Sequence, residues 1–242
     1  MSKNKISRKD FLSTSALLGV STLVGTSALT SCGEKGPVYT PIKEAGTYYV
    51  PELPDKAIDG KELKAGVIGC GGRGSGAIFD LLNAANGIKV VALGDTFADR
   101  LNGLKGRLAK SNQVVADDKC FVGFDAYKKV IDSGVDMVVI ATPPAFRPIH
   151  FQYATEKGVH SFLEKPIAVD PKGYRMIMAT AKQAQAKGLS VVTGTQRHHE
   201  RPYVEANKQI QAGLIGEITG GNVYWNQNML WYRNREKGWS DM

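Results

Sequence analysis

The chain has few of the residues that define specialised protein classes. Its 242 residues include three cysteines and four histidines, too few for a disulfide framework or for a zinc hydrolase built on histidine clusters. The net charge is +8, but no run of lysine and arginine accompanies it, so we expect no nucleic-acid partner. Apolar residues make up 43% and charged residues 22% of the chain, which is the balance of an ordinary globular protein.

The first 31 residues follow the order of a secretory signal, with four basic residues and one acid ahead of an uncharged stretch at 13–29. The sequence SRKDFL at 7–12 resembles a twin-arginine export motif, and LTSC at 29–32 resembles a lipobox. We therefore predict export to the periplasm or cell envelope, with a membrane anchor through lipidated Cys32. An uncleaved anchor helix is the alternative. Without this leader the net charge falls to +5.

Residues 32–61 contain several prolines and glycines without apolar periodicity, which predicts a tether. From residue 62 onward, apolar runs alternate with helical patterns. The predicted strands lie at 63–68, 88–93, 120–122, 137–141, 160–163 and 190–193, and the later predicted helices at 150–157, 171–187 and 203–212. This alternation predicts an α/β fold with a Rossmann-type, doubly wound parallel sheet over 62–196. A strand predicted at 217–225 would begin a second α/β domain, incomplete within 197–242.

A glycine-rich loop follows the first predicted strand and opens a helix. Gly69, Gly71 and Gly74 form G-x-G-x-x-G, and Asp95 ends the next strand 21 positions beyond Gly74. In this context the glycines allow a tight turn, close approach of a diphosphate and close helix packing, while the acid binds ribose hydroxyls. A carboxylate repels a 2′-phosphate, so NAD is expected rather than NADP. A purely structural turn is the alternative. The predicted cofactor-binding residues here are Gly69, Gly71, Gly72, Arg73, Gly74 and Asp95.

Four later motifs resemble those of the Gfo/Idh/MocA oxidoreductases: ATPP at 141–144, His150, EKP at 164–166 and GTQRH at 194–198. The resemblance covers most of 62–242. It implies a Rossmann domain followed by an α/β domain with a large open sheet, an NAD(H) or NADP(H) cofactor, a sugar, inositol or polyol substrate, and a homo-oligomer. The family's second catalytic element, an Asp and a His on a later helix, is missing from this sequence. We therefore expect the chain to be truncated at its C-terminal end.

The resemblance also implies roles for individual residues. Lys165 would reach the substrate hydroxyl, and Pro166 implies a cis Lys–Pro bond. An ammonium group suits that place, because it stabilises a developing alkoxide or relays its proton. A solvated lysine at a strand end is the alternative. His150 is the second catalytic candidate, although a structural histidine is equally expected at a helix start. The remaining cofactor residues would be Ala141, Thr142, Pro143, Glu164, Lys165 and Gln196.

Adjacent His198 and His199 have no cysteine or carboxylate cluster nearby, so no metal site is expected. Three functions stay open. The leading one is an NAD-dependent oxidoreductase acting on a saccharide or cyclitol hydroxyl. The alternative is a redox-neutral glycosidase or lyase that retains its NAD, because free nicotinamide cofactor is scarce outside the cytoplasm. The third is a non-catalytic nucleotide-binding fragment.

Overall fold

A computed structural model describes residues 60–229, 234–235 and 237–238. The predicted signal sequence, lipobox and most of the tether lie outside these residues. Within the part of the chain that is described, no helix has the length and apolar character needed to cross a membrane. The described residues up to Lys208 form one compact unit, and those from Gln209 onward belong to a second.

A six-stranded sheet in the order β3-β2-β1-β4-β5-β6 is the centre of the first unit. Its strands are β1 (Leu63–Ile68), β2 (Ile88–Asp95), β3 (Cys120–Val122), β4 (Met137–Ile140), β5 (His160–Leu163) and β6 (Val191–Thr193). Every neighbouring pair is parallel. The strand order reverses between β1 and β4, and open sheets of this kind have a ligand crevice at the carboxyl ends of the strands at that point.

Helices cover the sheet from both sides, which completes the doubly wound arrangement. One side carries α1 (Gly72–Ala84) and α2 (Ala98–Ala109), and the other carries α3 (Ala126–Ile131), α4 (Arg147–Glu156) and α5 (Pro171–Ala186). A final helix, α6 (Arg201–Gln211), follows β6. The predicted α/β Rossmann-type fold is confirmed.

The core consists of two apolar layers, one on each side of the sheet. Alternate residues of a strand enter opposite layers, so Val139 packs with α1 and α2 while Val138 packs with α3, α4 and α5. Both valines are at most 1% exposed. A strand that is buried on both faces reads as a continuous apolar run, which is why MVVIA at 137–141 predicts a buried strand.

Local sequence signals explain where α5 begins and ends. The Asp170 carboxylate accepts a hydrogen bond from the backbone N–H of Gly173 at 2.6 Å, and Pro171 occupies the first helical turn. Both features are typical of helix N-termini, because the first N–H groups have no partner within the helix. Beyond the last turn, Gly188 has a φ of 68°, a left-handed conformation that stops the helix.

Two expectations about local structure are wrong. Helix α4 begins at Arg147 rather than at 150, so its first turn contains residues assigned to the preceding loop. No strand is present at residues 217–225, all of which the structure describes. Val223 and Trp225 there are 97% and 72% exposed. A single strand satisfies its backbone groups and buries a face only when another strand or a helix lies beside it, and the apolar pattern did not supply that partner.

Candidate active site

The glycine loop joins β1 to α1, and two of its glycines have no room for a side chain. Gly69 has a φ of 93°, and a Cβ atom there would lie 2.8 Å from the backbone of Ala141. A Cβ on Gly74 would lie 1.8 Å from the carbonyl oxygen of Gly69. A Cβ atom on Gly71 or Gly72, in contrast, would have no neighbouring atom within 4 Å. The loop is therefore packed tightly against the sheet on one side and open on the other.

The open side of the loop carries the N-terminus of α1. Gly71 occupies the N-cap position, and no side chain caps the helix. The first N–H groups of a helix have no partner within it and together act as a partial charge of about +0.5, which attracts anions. Arg73, in the first turn, is exposed and adds a guanidinium group at this end of the helix. The loop is therefore suited to a phosphate or diphosphate.

Asp95, at the end of β2, is tied to the glycine loop. Its carboxylate accepts hydrogen bonds from the backbone N–H of Cys70 at 2.6 Å and of Phe97 at 2.9 Å. Because each carboxylate oxygen has two lone pairs, Asp95 retains acceptor capacity for a ligand hydroxyl. Burial, together with the charge of Asp95, raises the pKa of the Cys70 thiol well above its usual range, so this thiol stays protonated.

His150 lies on α4 and contacts the loop that follows β4 through Thr142. It is 7% exposed, its Nδ1 atom is 3.1 Å from the hydroxyl oxygen of Thr142, and its ring stacks on Tyr127 with centroids 4.2 Å apart. Burial lowers the pKa of His150 to about 4. The ring is therefore neutral at pH 7, and its role in catalysis stays a prediction.

Glu164 connects the end of β5 with the glycine loop. Although the residue is 2% exposed, its carboxylate accepts a hydrogen bond from Nε of Arg73 at 2.7 Å and one from the backbone N–H of Lys165 at 3.2 Å. A Cβ on Gly194, after β6, would lie 2.6 Å from the same carboxylate. The Arg73–Glu164 ion pair therefore brings two separately predicted site segments together.

Lys165 is exposed immediately after this buried carboxylate, and its peptide bond to Pro166 is cis, as predicted. Gln196 is also exposed, and its side-chain amide donates a hydrogen bond to Glu200 at 3.2 Å. Ala141, Thr142 and Pro143 follow β4, next to Gly69. Apart from His150 on α4, the predicted catalytic and cofactor residues thus lie at or just beyond the carboxyl ends of β1, β2, β4, β5 and β6. Their roles toward a cofactor or substrate stay predictions.

Arg147 was missing from the predicted site, and Gly194 had no role there although it begins the GTQRH motif. Arg147 is 5% exposed and contacts three backbone carbonyls near the site. The sequence predicts a helix that begins at 150, which places this arginine in a loop. The Arg147–Pro148 pair at the start of α4 was the available signal, because proline is common in a first helical turn.

An apolar cavity of about 450 Å³, lined in part by Arg73 and Gly194 of the site, lies between α1 and the β5–β6 edge of the sheet. Its walls include Leu81, Met137, Phe162 and Val192, and Gln196 lies among the lining residues. Among the described residues no group of three or more histidine, cysteine or acidic side chains is placed to hold a metal ion.

The fold and this loop geometry define a Rossmann domain of the dinucleotide-binding class. The family described as "Oxidoreductase family, NAD-binding Rossmann fold" (GFO_IDH_MocA) matches residues 63–193. The chain belongs to this family, so the resemblance identified from its motifs is confirmed.

Known proteins resemble the chain over different lengths. A glycosyl hydrolase family 109 protein of Solibacter usitatus is 25% identical over 228 residues, 93% of this chain and 47% of the relative. The scyllo-inositol 2-dehydrogenase (NAD(+)) of Bacillus subtilis is 27% identical over 156 residues, 64% of this chain and 42% of the relative. The crystal structure of myo-inositol 2-dehydrogenase from Lactobacillus plantarum is 28% identical with a TM-score of 0.53, covering 64% of this chain and 43% of that one. The chain thus spans less than half the length of these relatives.

Proposed function

We propose that the protein is an NAD-dependent oxidoreductase acting on a hydroxyl group of a cyclitol or saccharide. The observation that carries the proposal is the placement of three features at one edge of the sheet. These are the open glycine loop at the N-terminus of α1, Asp95 at the end of β2, and exposed Lys165 at the end of β5. Inositol dehydrogenases among the similar proteins support the cyclitol class.

The residues present fit NAD. The open space at Gly71 and Gly72 admits a diphosphate against uncapped helix N–H groups. The Asp95 carboxylate would accept hydrogen bonds from ribose hydroxyls and would repel the 2′-phosphate of NADP. Ala141, Thr142, Pro143, Glu164 and Gln196 would line the nicotinamide half of the crevice. When bound, NAD supplies the hydride acceptor.

Lys165 would contribute the proton chemistry. Hydride transfer from a carbinol carbon gives a neutral carbonyl only if the hydroxyl proton also leaves, and the neutral amine form of Lys165 would accept that proton. In the reverse direction the ammonium form would stabilise the developing alkoxide and return the proton to it. Glu164 is held away from this task by its ion pair with Arg73. His150, neutral at pH 7, would orient the loop after β4 through Thr142 rather than carry charge.

Calorimetric titration with NAD and NADP tests the cofactor assignment. We expect NAD to bind and NADP to bind at least about tenfold more weakly, which corresponds to about 1.4 kcal/mol. NADH formation with a panel of inositols and sugars then tests the chemistry. Lys165→Met is expected to abolish turnover while retaining NAD binding, whereas Lys172→Met, an exposed position on α5, is the matched control. Absence of dinucleotide binding would end the proposal.

An NAD-retaining glycosidase is the second candidate. It is favoured by one observation, since the match to the glycosyl hydrolase family 109 protein extends over 93% of the chain rather than 64%. An enzyme that oxidises a sugar, eliminates the aglycone, adds water and reduces the product again regenerates its NAD in each cycle. Cleavage of a nitrophenyl glycoside without added cofactor would support it. NAD binding with neither hydride transfer nor cleavage would favour a nucleotide-binding fragment.

We also propose that the protein is exported, anchored through a lipid on Cys32 and homo-oligomeric. The support is the leader at 1–31, the lipobox-like LTSC and the family resemblance. Labelling with a radioactive fatty acid tests the anchor, and loss of the label in Cys32→Ser identifies the attachment site. Native mass spectrometry of the exported protein reports its oligomeric state and any retained dinucleotide.

A further inference from the structure

Arg147 is a nearly buried cation whose hydrogen bonds all reach loop carbonyls at the site. Its Nε atom donates to the carbonyl oxygen of Thr142 at 2.8 Å, and its Nη1 atom donates to that of Glu164 at 2.6 Å and to that of Pro166. The residue is 5% exposed. These three carbonyls belong to the segments that follow β4 and β5.

Two of these carbonyls lie on either side of Lys165 in the chain. Glu164 and Pro166 are the two neighbours of Lys165, so Arg147 holds the backbone on both sides of that residue. The third contact ties this backbone to Thr142, whose hydroxyl group is paired with His150. A single guanidinium group therefore fixes the loop after β5 relative to the loop after β4.

The guanidinium group suits this task better than an ammonium group. It is planar, and its donors have a fixed mutual geometry, so carbonyls bound to it are also fixed relative to each other. Burial lowers the pKa of Arg147, while the charge of Glu164 raises it. The arginine still stays protonated in a protein interior. A buried cation is retained only where polar groups compensate it, and here the carbonyl dipoles do so.

We propose that Arg147 is a positioning residue for Lys165: by holding the carbonyls of Glu164, Pro166 and Thr142, it sets the place and the direction of the Lys165 backbone in the crevice. This proposal rests on the function proposed above. Arg147 touches neither substrate nor cofactor in it and acts through Lys165. Its removal should change the behaviour of Lys165 more than the stability of the sheet.

The test uses Arg147→Lys and Arg147→Ala, with Arg175→Ala, an exposed arginine on α5, as the matched control. Acylation of Lys165 by an amine-reactive ester is followed by mass spectrometry across a pH series, with and without NAD. We expect NAD to protect Lys165 in the unaltered protein and in the control. In both Arg147 variants the factor by which NAD slows acylation of Lys165 should be about tenfold smaller than in the unaltered protein. The pH profile of acylation should also be shifted.

Chemical rescue separates positioning from general stabilisation. In Arg147→Ala, guanidinium chloride below the unfolding range should restore the protection and the pH profile, whereas sodium chloride at the same ionic strength should not. An unchanged Lys165 profile in both variants would overturn the proposal, and so would failure of both variants to fold. If the unaltered protein binds no NAD, the proposed function fails. The acylation profile without NAD still tests the effect of Arg147.

Discussion

Gly74→Ala tests whether the glycine loop is shaped by packing against β1. The added Cβ would lie 1.8 Å from the carbonyl oxygen of Gly69 and 3.2 Å from the Cβ of Ala141. A backbone oxygen cannot rotate away as a flexible side chain does, so the loop or α1 must shift. Overpacking of this kind costs about 1–3 kcal/mol, and the severity of the contact places the variant near the upper end. The higher helix propensity of alanine offsets up to about 1 kcal/mol of this cost, so the free energy of unfolding should fall by about 2 kcal/mol.

That loss should lower the melting temperature by about 4–8 °C for a chain of this size. Differential scanning calorimetry measures it, and Gly103→Ala in α2 is the control because open space surrounds that position. The control should melt at or slightly above the temperature of the unaltered protein. If Gly74→Ala had the same melting temperature as the unaltered protein, the close approach between loop and helix would be refuted.

Gly71→Ala separates binding from packing at the same loop. A Cβ there meets nothing within 4 Å, so stability should change by less than about 1 kcal/mol, the size of a helix-cap effect. The methyl group would nevertheless occupy the open side proposed for the diphosphate, and NAD affinity should fall about tenfold or more. Titration calorimetry on both glycine variants checks this difference. Unchanged NAD affinity in Gly71→Ala would place the diphosphate elsewhere.

The remaining predictions concern titration and the acidic residues of the site. Burial favours the neutral form of His150 in the folded state, because it lowers the pKa from 6.5 to about 4. The free energy of unfolding should therefore fall as the pH drops from 6.5 towards 4, and the loss should be about 2 kcal/mol at pH 5. Urea unfolding should show this slope in the unaltered protein and a shallower one in His150→Gln. Asp95→Asn should lose one hydrogen bond to the Cys70 or Phe97 amide, costing about 1.5–3 kcal/mol, and should narrow the ratio of NAD to NADP affinity measured by calorimetry. Gly194→Ala should push Glu164 away from Arg73 and weaken NAD binding about tenfold, and an unchanged dissociation constant would contradict this.

Much of the fold was predictable because its signals are local. An apolar run such as MVVIA at 137–141, the glycines after β1 and the Asp170–Pro171 pair at the start of α5 act over a few neighbouring residues. The expected strand at 217–225 was wrong because strand formation depends on a neighbour that an apolar pattern does not specify. The beginning of α4 is marked locally by Pro148 in its first turn, but only the structure shows that Arg147 is buried there.

The sequence by itself determined the class of the domain, the residues of the glycine loop and the acid that ends β2. Those features follow from steric freedom, apolar periodicity and fixed spacing along the chain. Only the tertiary structure decided that Arg73 pairs with Glu164, that His150 is buried and neutral, and that Arg147 holds the carbonyls around Lys165. These contacts join residues that are distant in sequence. Sheet order, which no local pattern encodes, brings them to one edge of the sheet.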